Sequence, residues 1–225
     1  MTDPIDRPAE STRLQILRAA SHQFAYRSYS LVSLDDILAD AEVTKGAMYF
    51  HFRSKHALAL AIVDHQVSRA RAAVNDLLSR KLSGLETIID ISFLLAVHDI
   101  GDEVARAALH LLESIGRTDG VQAKVLGDWM NAFAVIVERA IEEGDIVEQR
   151  DPADVSRLLV ALYLGIRQTS NPDEPERFLV DLEKLWAMAL PGFANPNRIP
   201  YLTQFIRRRT ALAIDKTTSA VPNAL

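Results

Sequence analysis

Residues 33–55 read SLDDILADAEVTKGAMYFHFRSK, and the order of caps, small residues and basic residues in this stretch decides the fold. The Ser33 hydroxyl is placed to cap the open amides of a helix, and Asp35 and Asp36 suit the positive end of its dipole. Leu34, Ile37 and Leu38 then recur at helical spacing and form its buried face. Thr44 repeats the capping signal and opens a second short helix that runs to His51, after a turn at Asp40 to Val43. Two helices of about two turns joined by so short a connection must cross steeply, which is the helix-turn-helix unit.

The second of these helices carries chemistry suited to double-stranded DNA. Thr44 leaves a helix amino end where a phosphate oxygen can sit, and Lys45 is long enough to reach a guanine edge in the major groove. Gly46 and Ala47 are small, so the backbone can press close to the bases and a methyl group can meet a thymine methyl. Tyr49 ends in a hydroxyl suited to a phosphate oxygen, and His51 is placed to reach the backbone or to solvate the end of the helix. Phe50 and Phe52 are expected to pack inward.

Across its full length the 33–55 segment resembles the DNA-binding signature of the tetracycline-repressor (TetR) family of transcriptional regulators. The resemblance implies that Lys55, at the start of the next helix, contacts a phosphate, and that Ser33 joins Thr44, Lys45, Gly46, Ala47, Tyr49 and His51 at the DNA. Two positions depart from the pattern, since the family often has glycine where this chain has Ser28 and Glu42. A non-glycine residue in a left-handed conformation costs on the order of 1 kcal/mol. Glu42 also brings negative charge near the groove and is expected to point away from DNA.

Outward from this segment the chain reads as all-α. Alternating strand patterns and Asn-Gly or Asp-Gly hairpin turns do not occur. The segment Ser11 to Arg27 places Leu14, Leu17, Ala20 and Phe24 on one helical face, with Ser11 as its cap. Residues 53–80 contain neither proline nor glycine and predict one long connecting helix. Further helices are predicted at 84–98, 101–116, 118–143, 152–169, 174–190 and 198–214. The expected organisation is a helix-turn-helix head over 1–52, a helical effector-binding and dimerisation domain over 53–214, and a frayed tail over 215–225.

Composition excludes several other classes. With 48% apolar residues in 225 the chain can bury a core, and no apolar stretch approaches the roughly 20 residues that cross a bilayer. The absence of cysteine excludes disulfides and thiolate metal sites and makes a reducing, cytoplasmic setting the expected one, and residues 1–10 lack the order of a secretory signal. The formal net charge of −5 falls entirely on residues 56–225, while residues 1–55 balance seven bases against seven acids. An architectural DNA-binding protein that needs no ligand is the rival reading, but such proteins are usually strongly basic. No nucleophile elbow, phosphate-binding glycine loop or Glu-x-x-His pair occurs, so catalysis, a metal and a cofactor are not expected.

The carboxyl-terminal half carries two further expectations. Leu159, Leu162 and Ile166 on one helix, with Phe178, Leu182 and Leu185 on the next, form stripes wide enough to bury on two sides and are expected at a homodimer interface. A two-fold dimer would read a palindromic operator with half-sites about 34 Å apart or a multiple. Gly127, Asp128 and Trp129, with the wording of residues 43–52, are similar to the γ-butyrolactone-receptor branch of the family. That resemblance implies that Trp129 lines a pocket for a small-molecule effector. Phe93, Leu94, Val97, Leu112, Phe133 and Tyr163 are the expected remaining walls, with Arg106, His110 and Gln168 as candidate polar partners.

Overall fold

The computed structural model describes residues 6–219, with side chains from Glu10 onward. Among these residues it holds ten α-helices. They are α1 (Asp6–Tyr26), α2 (Leu34–Ala41), α3 (Lys45–His51), α4 (Lys55–Leu78), α5 (Gly84–Gly101), α6 (Glu103–Ser114), α7 (Val121–Glu142), α8 (Pro152–Thr169), α9 (Pro175–Ala189) and α10 (Ile199–Ser219). An isolated antiparallel bridge between Ile146 and Ala194 is the extent of β pairing among the described residues. The all-α expectation holds, with two corrections at the ends. α1 begins ahead of Ser11, which is therefore not its cap, and residues 215–219 continue α10 instead of fraying. Residues 220–225 lie outside the described range.

The chain divides into two compact units, one comprising the residues up to Ala70 with Asp102–Ala123, the other Arg71–Gly101 with Lys124 onward. The head therefore does not stop at residue 52. Its core gathers Ile16, Ala20 and Phe24 of α1, Ile37 of α2, Met48 of α3, Leu58 and Ile62 of α4, and Ala105 and Leu111 of α6. Polar contacts fasten α6 to α1: Glu103 accepts from Tyr26 at 3.1 Å and pairs with His22 at 3.1 Å, while the His110 ring meets the Phe24 carbonyl at 3.2 Å. Arg69 of α4 pairs with Asp102 at 2.6 Å, and His56 with Asp119 at 2.6 Å. These links span 30 residues or more of sequence, so local periodicity could not reveal them.

In the second unit α5 is the central helix, and every residue from Gly84 to Phe93 is buried. Its acidic side chains reach partners on the helices around it. Asp90 accepts from Arg209 of α10 at 2.8 Å, Glu86 accepts from the Tyr201 hydroxyl, and Asp99 accepts from Tyr163 of α8 at 2.5 Å and pairs with Arg167 at 2.7 Å. A charge inside an apolar core is tolerated only when paired, so these pairs fix the register of α5 against α8 and α10. Burial pushes the Asp99 carboxyl up from its ordinary range, against the pull of Arg167. Burial and the facing Asp99 carboxylate push the Tyr163 phenol far up, so it stays protonated and donates.

Candidate DNA-reading helix and effector cavity

The head presents α3 by local devices that follow from its sequence. Ser33 caps α2 with a reciprocal box: its hydroxyl accepts from the Asp36 amide at 3.0 Å and its own amide donates to the Asp36 carboxylate at 2.9 Å. The Ser33 amide holds the Asp36 carboxyl below the usual carboxylate range. α2 ends at Glu42, which adopts φ 51° in the left-handed region, so this departure from glycine carries strain. Ser28, the other departure, is extended at φ −63° and carries none. Thr44 then caps α3, accepting from the Ala47 amide at 3.2 Å.

Seven residues make too short a helix to stand alone, and packing supplies what propensity does not. Met48 is wholly buried and Phe52, one turn on, nearly so, with the Arg13 guanidinium 5.4 Å from the Phe52 ring centroid. Lys45 and Tyr49 share one outward face, while Gly46 and Phe50 share the next, all four exposed. Ala47 and His51 are half-buried at the edge. The expectation that Phe50 packs inward is overturned: its ring is 80% exposed, because Met48 and Phe52 already occupy the inward positions of this short helix.

Lys55 also departs from expectation. Its ammonium donates to the carbonyls of Tyr29 at 2.8 Å and Val32 at 2.9 Å and sits 4.1 Å from the centroid of the Tyr29 ring. It closes the chain end between α1 and α2 instead of reaching outward. Arg53, two residues earlier, is the exposed cation beyond the carboxyl end of α3. Its place in the basic run 45–55 was readable, but which of the cations turns inward was not.

In the second unit a small enclosed cavity of about 30 Å³ lies between α5, α7, α8 and α9. Trp129, Phe133 and Tyr163 line it, joined by Ser92, Leu95 and Trp186 among others. Phe93 is buried and Leu94 and Val97 are partly so in the same unit, but none of them lines this cavity, and Leu112 belongs to the core of the other unit. Arg106 and His110 also lie in the other unit, and Gln168 is exposed on α8. The Trp186 indole donates to Ser92 at 2.8 Å, and Ser92 donates to the Ile89 carbonyl at 2.7 Å.

The residues expected at a dimer interface differ in how far the chain itself covers them. Leu159, Ile166, Phe178 and Leu182 are buried within the single chain, and Leu162 and Leu185 are partly buried beside Trp186. The periodicity was right about burial and silent about which partner supplies it. The large apolar residues of α8 and α9 that face outward are Leu158, 43% exposed, and Met188, 69% exposed, and the small Ala161 and Gly165 are among the exposed residues of α8.

Comparison with known proteins places these features among relatives. The family model for bacterial regulatory proteins, tetR family, matches residues 16–62. Over 195 residues the chain is 32% identical to the A-factor receptor protein of Streptomyces griseus, an alignment that covers 86% of this chain and 68% of that one. A solved gamma-butyrolactone receptor (ArpA-like protein) matches with a TM-score of 0.74 at 28% identity, covering 90% of this chain and 97% of the other. The TetR-family protein CprB from Streptomyces coelicolor, in complex with its biological operator sequence, matches with a TM-score of 0.77 at 28% identity over 90% of this chain and 98% of that one. The matched family is one of bacterial regulatory proteins, not of enzymes.

Proposed function

The chain belongs to the tetR family of bacterial regulatory proteins, and on that premise we propose that it is a homodimeric cytoplasmic repressor whose palindromic operator is released when a small apolar effector occupies the α5–α9 cavity. The observation that carries the DNA half of this reading is α3 itself: Met48 and Phe52 anchor it while Lys45, Gly46, Tyr49 and Phe50 stand outward. In this reading Lys45 meets a base edge with Gly46 and Ala47 admitting the backbone to the groove. Ser33, Thr44 and Tyr49 hold phosphates, and Arg53 takes the outer phosphate role expected of Lys55. His51 packs between Phe50 and Phe52, with its ring centroid 5.0 Å and 6.4 Å from theirs, and reaches the DNA backbone from the end of α3.

Two copies meet, in this proposal, through the outward face of α8 and α9, where Leu158, Ala161, Gly165 and Met188 combine apolar contact with small residues that allow close approach. The effector reading rests on an apolar enclosure containing two indoles, a phenyl and a phenol, and is supported by relatives named as receptors for A-factor and γ-butyrolactones. A cavity of about 30 Å³ holds no more than a water, so a ligand must open it. Binding then favours an opened conformation, and release follows if that conformation presents the two α3 helices less well to the groove. Cytoplasmic placement accords with the lack of cysteine.

Selection of bound sequences from random DNA tests the first half, with a palindrome of two half-sites as the expected result. Sequence-blind binding at about 150 mM salt would sink it. For the second half, γ-butyrolactones bearing alkyl side chains are added to the protein–operator complex. Release at micromolar ligand, with quenching of tryptophan fluorescence, is the expected outcome, and an unchanged complex removes the lactone reading.

A further inference from the structure

The most exposed large apolar side chain among the described residues, 80% exposed, is Phe50, and it stands on the helix that reads DNA. The His51 ring packs edge-on against the Phe50 ring at 5.0 Å between centroids and an interplanar angle of 87°, and the Phe52 ring lies 6.4 Å from His51 on the other side. Phe52 is 5% exposed, so a row of three rings runs from the core to the surface, with Phe50 outermost. One turn earlier on the same face is Gly46, where an added Cβ would find only open space, the nearest atom being Thr44 Oγ1 at 3.9 Å. Nothing in the head therefore stands between this face and a groove.

We propose that Phe50 reads thymine: its ring packs on the 5-methyl group of a thymine in the major groove, beside the base that Lys45 meets. The inference rests on the operator-binding reading and adds a specificity-determining contact to it. The major-groove edges of the four bases carry donors and acceptors, and the thymine methyl is their one apolar group. A phenyl ring has neither donor nor acceptor, so the methyl is the feature it can distinguish. Lys45 and Phe50 are separated by about 7.5 Å along the helix axis, at 1.5 Å per residue. Lys45 and the apolar Gly46–Phe50 face thus read neighbouring positions of one half-site.

The test uses the full-length protein and an operator obtained by selection from random DNA. Each thymine of a half-site is replaced singly by deoxyuridine, which removes only the methyl group, and affinity is read by fluorescence anisotropy. One position per half-site is expected to weaken wild-type binding by about fourfold. Phe50→Ala is expected to weaken binding to the unmodified operator by about tenfold and to abolish the difference between thymine and deoxyuridine at that position. Phe50→Ala with wild-type discrimination, or with wild-type affinity, overturns the proposal. So does an operator without a deoxyuridine-sensitive position. A change in the sedimentation of the DNA-free protein on Phe50→Ala also overturns it, because the ring would then serve a protein contact. If no sequence is selected by the wild-type protein, the operator-binding reading itself has failed, which the deoxyuridine scan alone would not imply.

Discussion

Lys45 and Lys55 lie in one basic stretch and carry the same charge, yet their environments assign them opposite work. Lys45 is exposed at the first position of α3, whereas the Lys55 ammonium is held by two carbonyls and a ring inside the head. Lys45→Ala is expected to weaken specific operator binding by about 1–3 kcal/mol with the melting temperature unchanged, as read by anisotropy and circular dichroism. Lys55→Met should do the reverse, lowering stability by about 2 kcal/mol through the loss of charge-assisted hydrogen bonds and leaving the salt dependence of DNA binding intact. Arg53→Ala is expected to flatten that salt dependence by about one unit of slope per site. Gly46→Ala separates packing from reading at a single methyl group. The added Cβ meets nothing in the head, so helix stability should rise by about 0.5–1 kcal/mol while operator affinity falls. Equal or better operator binding by this variant would remove the close-approach argument.

At the scale of elements, α3 and α5 solve opposite problems. α3 is only seven residues long, so the Thr44 cap and the Met48–Phe52 anchor must define it. α5 is apolar on nearly all sides, and its register would be free to slide if hydrophobic contact alone held it. Asp99 removes that freedom by binding Tyr163 and Arg167, both on α8, and the Asp99–Arg167 pair is almost wholly buried, with side chains 4% and 6% exposed. Asp99→Ala is expected to lower unfolding free energy by about 3–5 kcal/mol, because it leaves the Arg167 charge buried without its partner. The double variant Asp99→Leu/Arg167→Leu should recover most of the loss in the same thermal or urea melts. No recovery would mean that the pair is not coupled in this way. Since Tyr163 also lines the cavity, this element-level clamp and the proposed effector share a side chain.

For the whole molecule the question is which apolar surfaces are left once each chain has packed its own core. The outward Leu158 of α8 is the place to ask it. Leu158→Arg is expected to give a monomer by sedimentation, to leave the helical content unchanged and to abolish tight binding to the palindromic operator. One head alone has too little affinity for a half-site. A Leu158→Arg protein that remains dimeric would move the interface elsewhere on the surface. Leu182→Ala, by contrast, removes a buried side chain and should cost about 2–5 kcal/mol of stability in the monomer itself, whatever the state of association.

The sequence by itself determined the all-α class, the positions of α2, α3 and α8 to within a residue or two, and the residue types offered to DNA. Those features depend on caps, spacing and side-chain size, all of which act within a few positions along the chain. Of the seven residues expected to wall a pocket, Trp129, Phe133 and Tyr163 line the α5–α9 cavity, and Trp129 was offered by resemblance to the γ-butyrolactone-receptor branch and not by periodicity. Tertiary structure decided the rest. Whether Phe50 faces in or out depended on how many side chains the small head could accept, and whether Lys55 reaches a phosphate depended on carbonyls more than 20 residues away in sequence. The apolar stripes of α8 and α9 specify burial without specifying against what, since the hydrophobic effect has no direction. The packing of α5 against both helices took up those stripes and left Leu158 and Met188 outside.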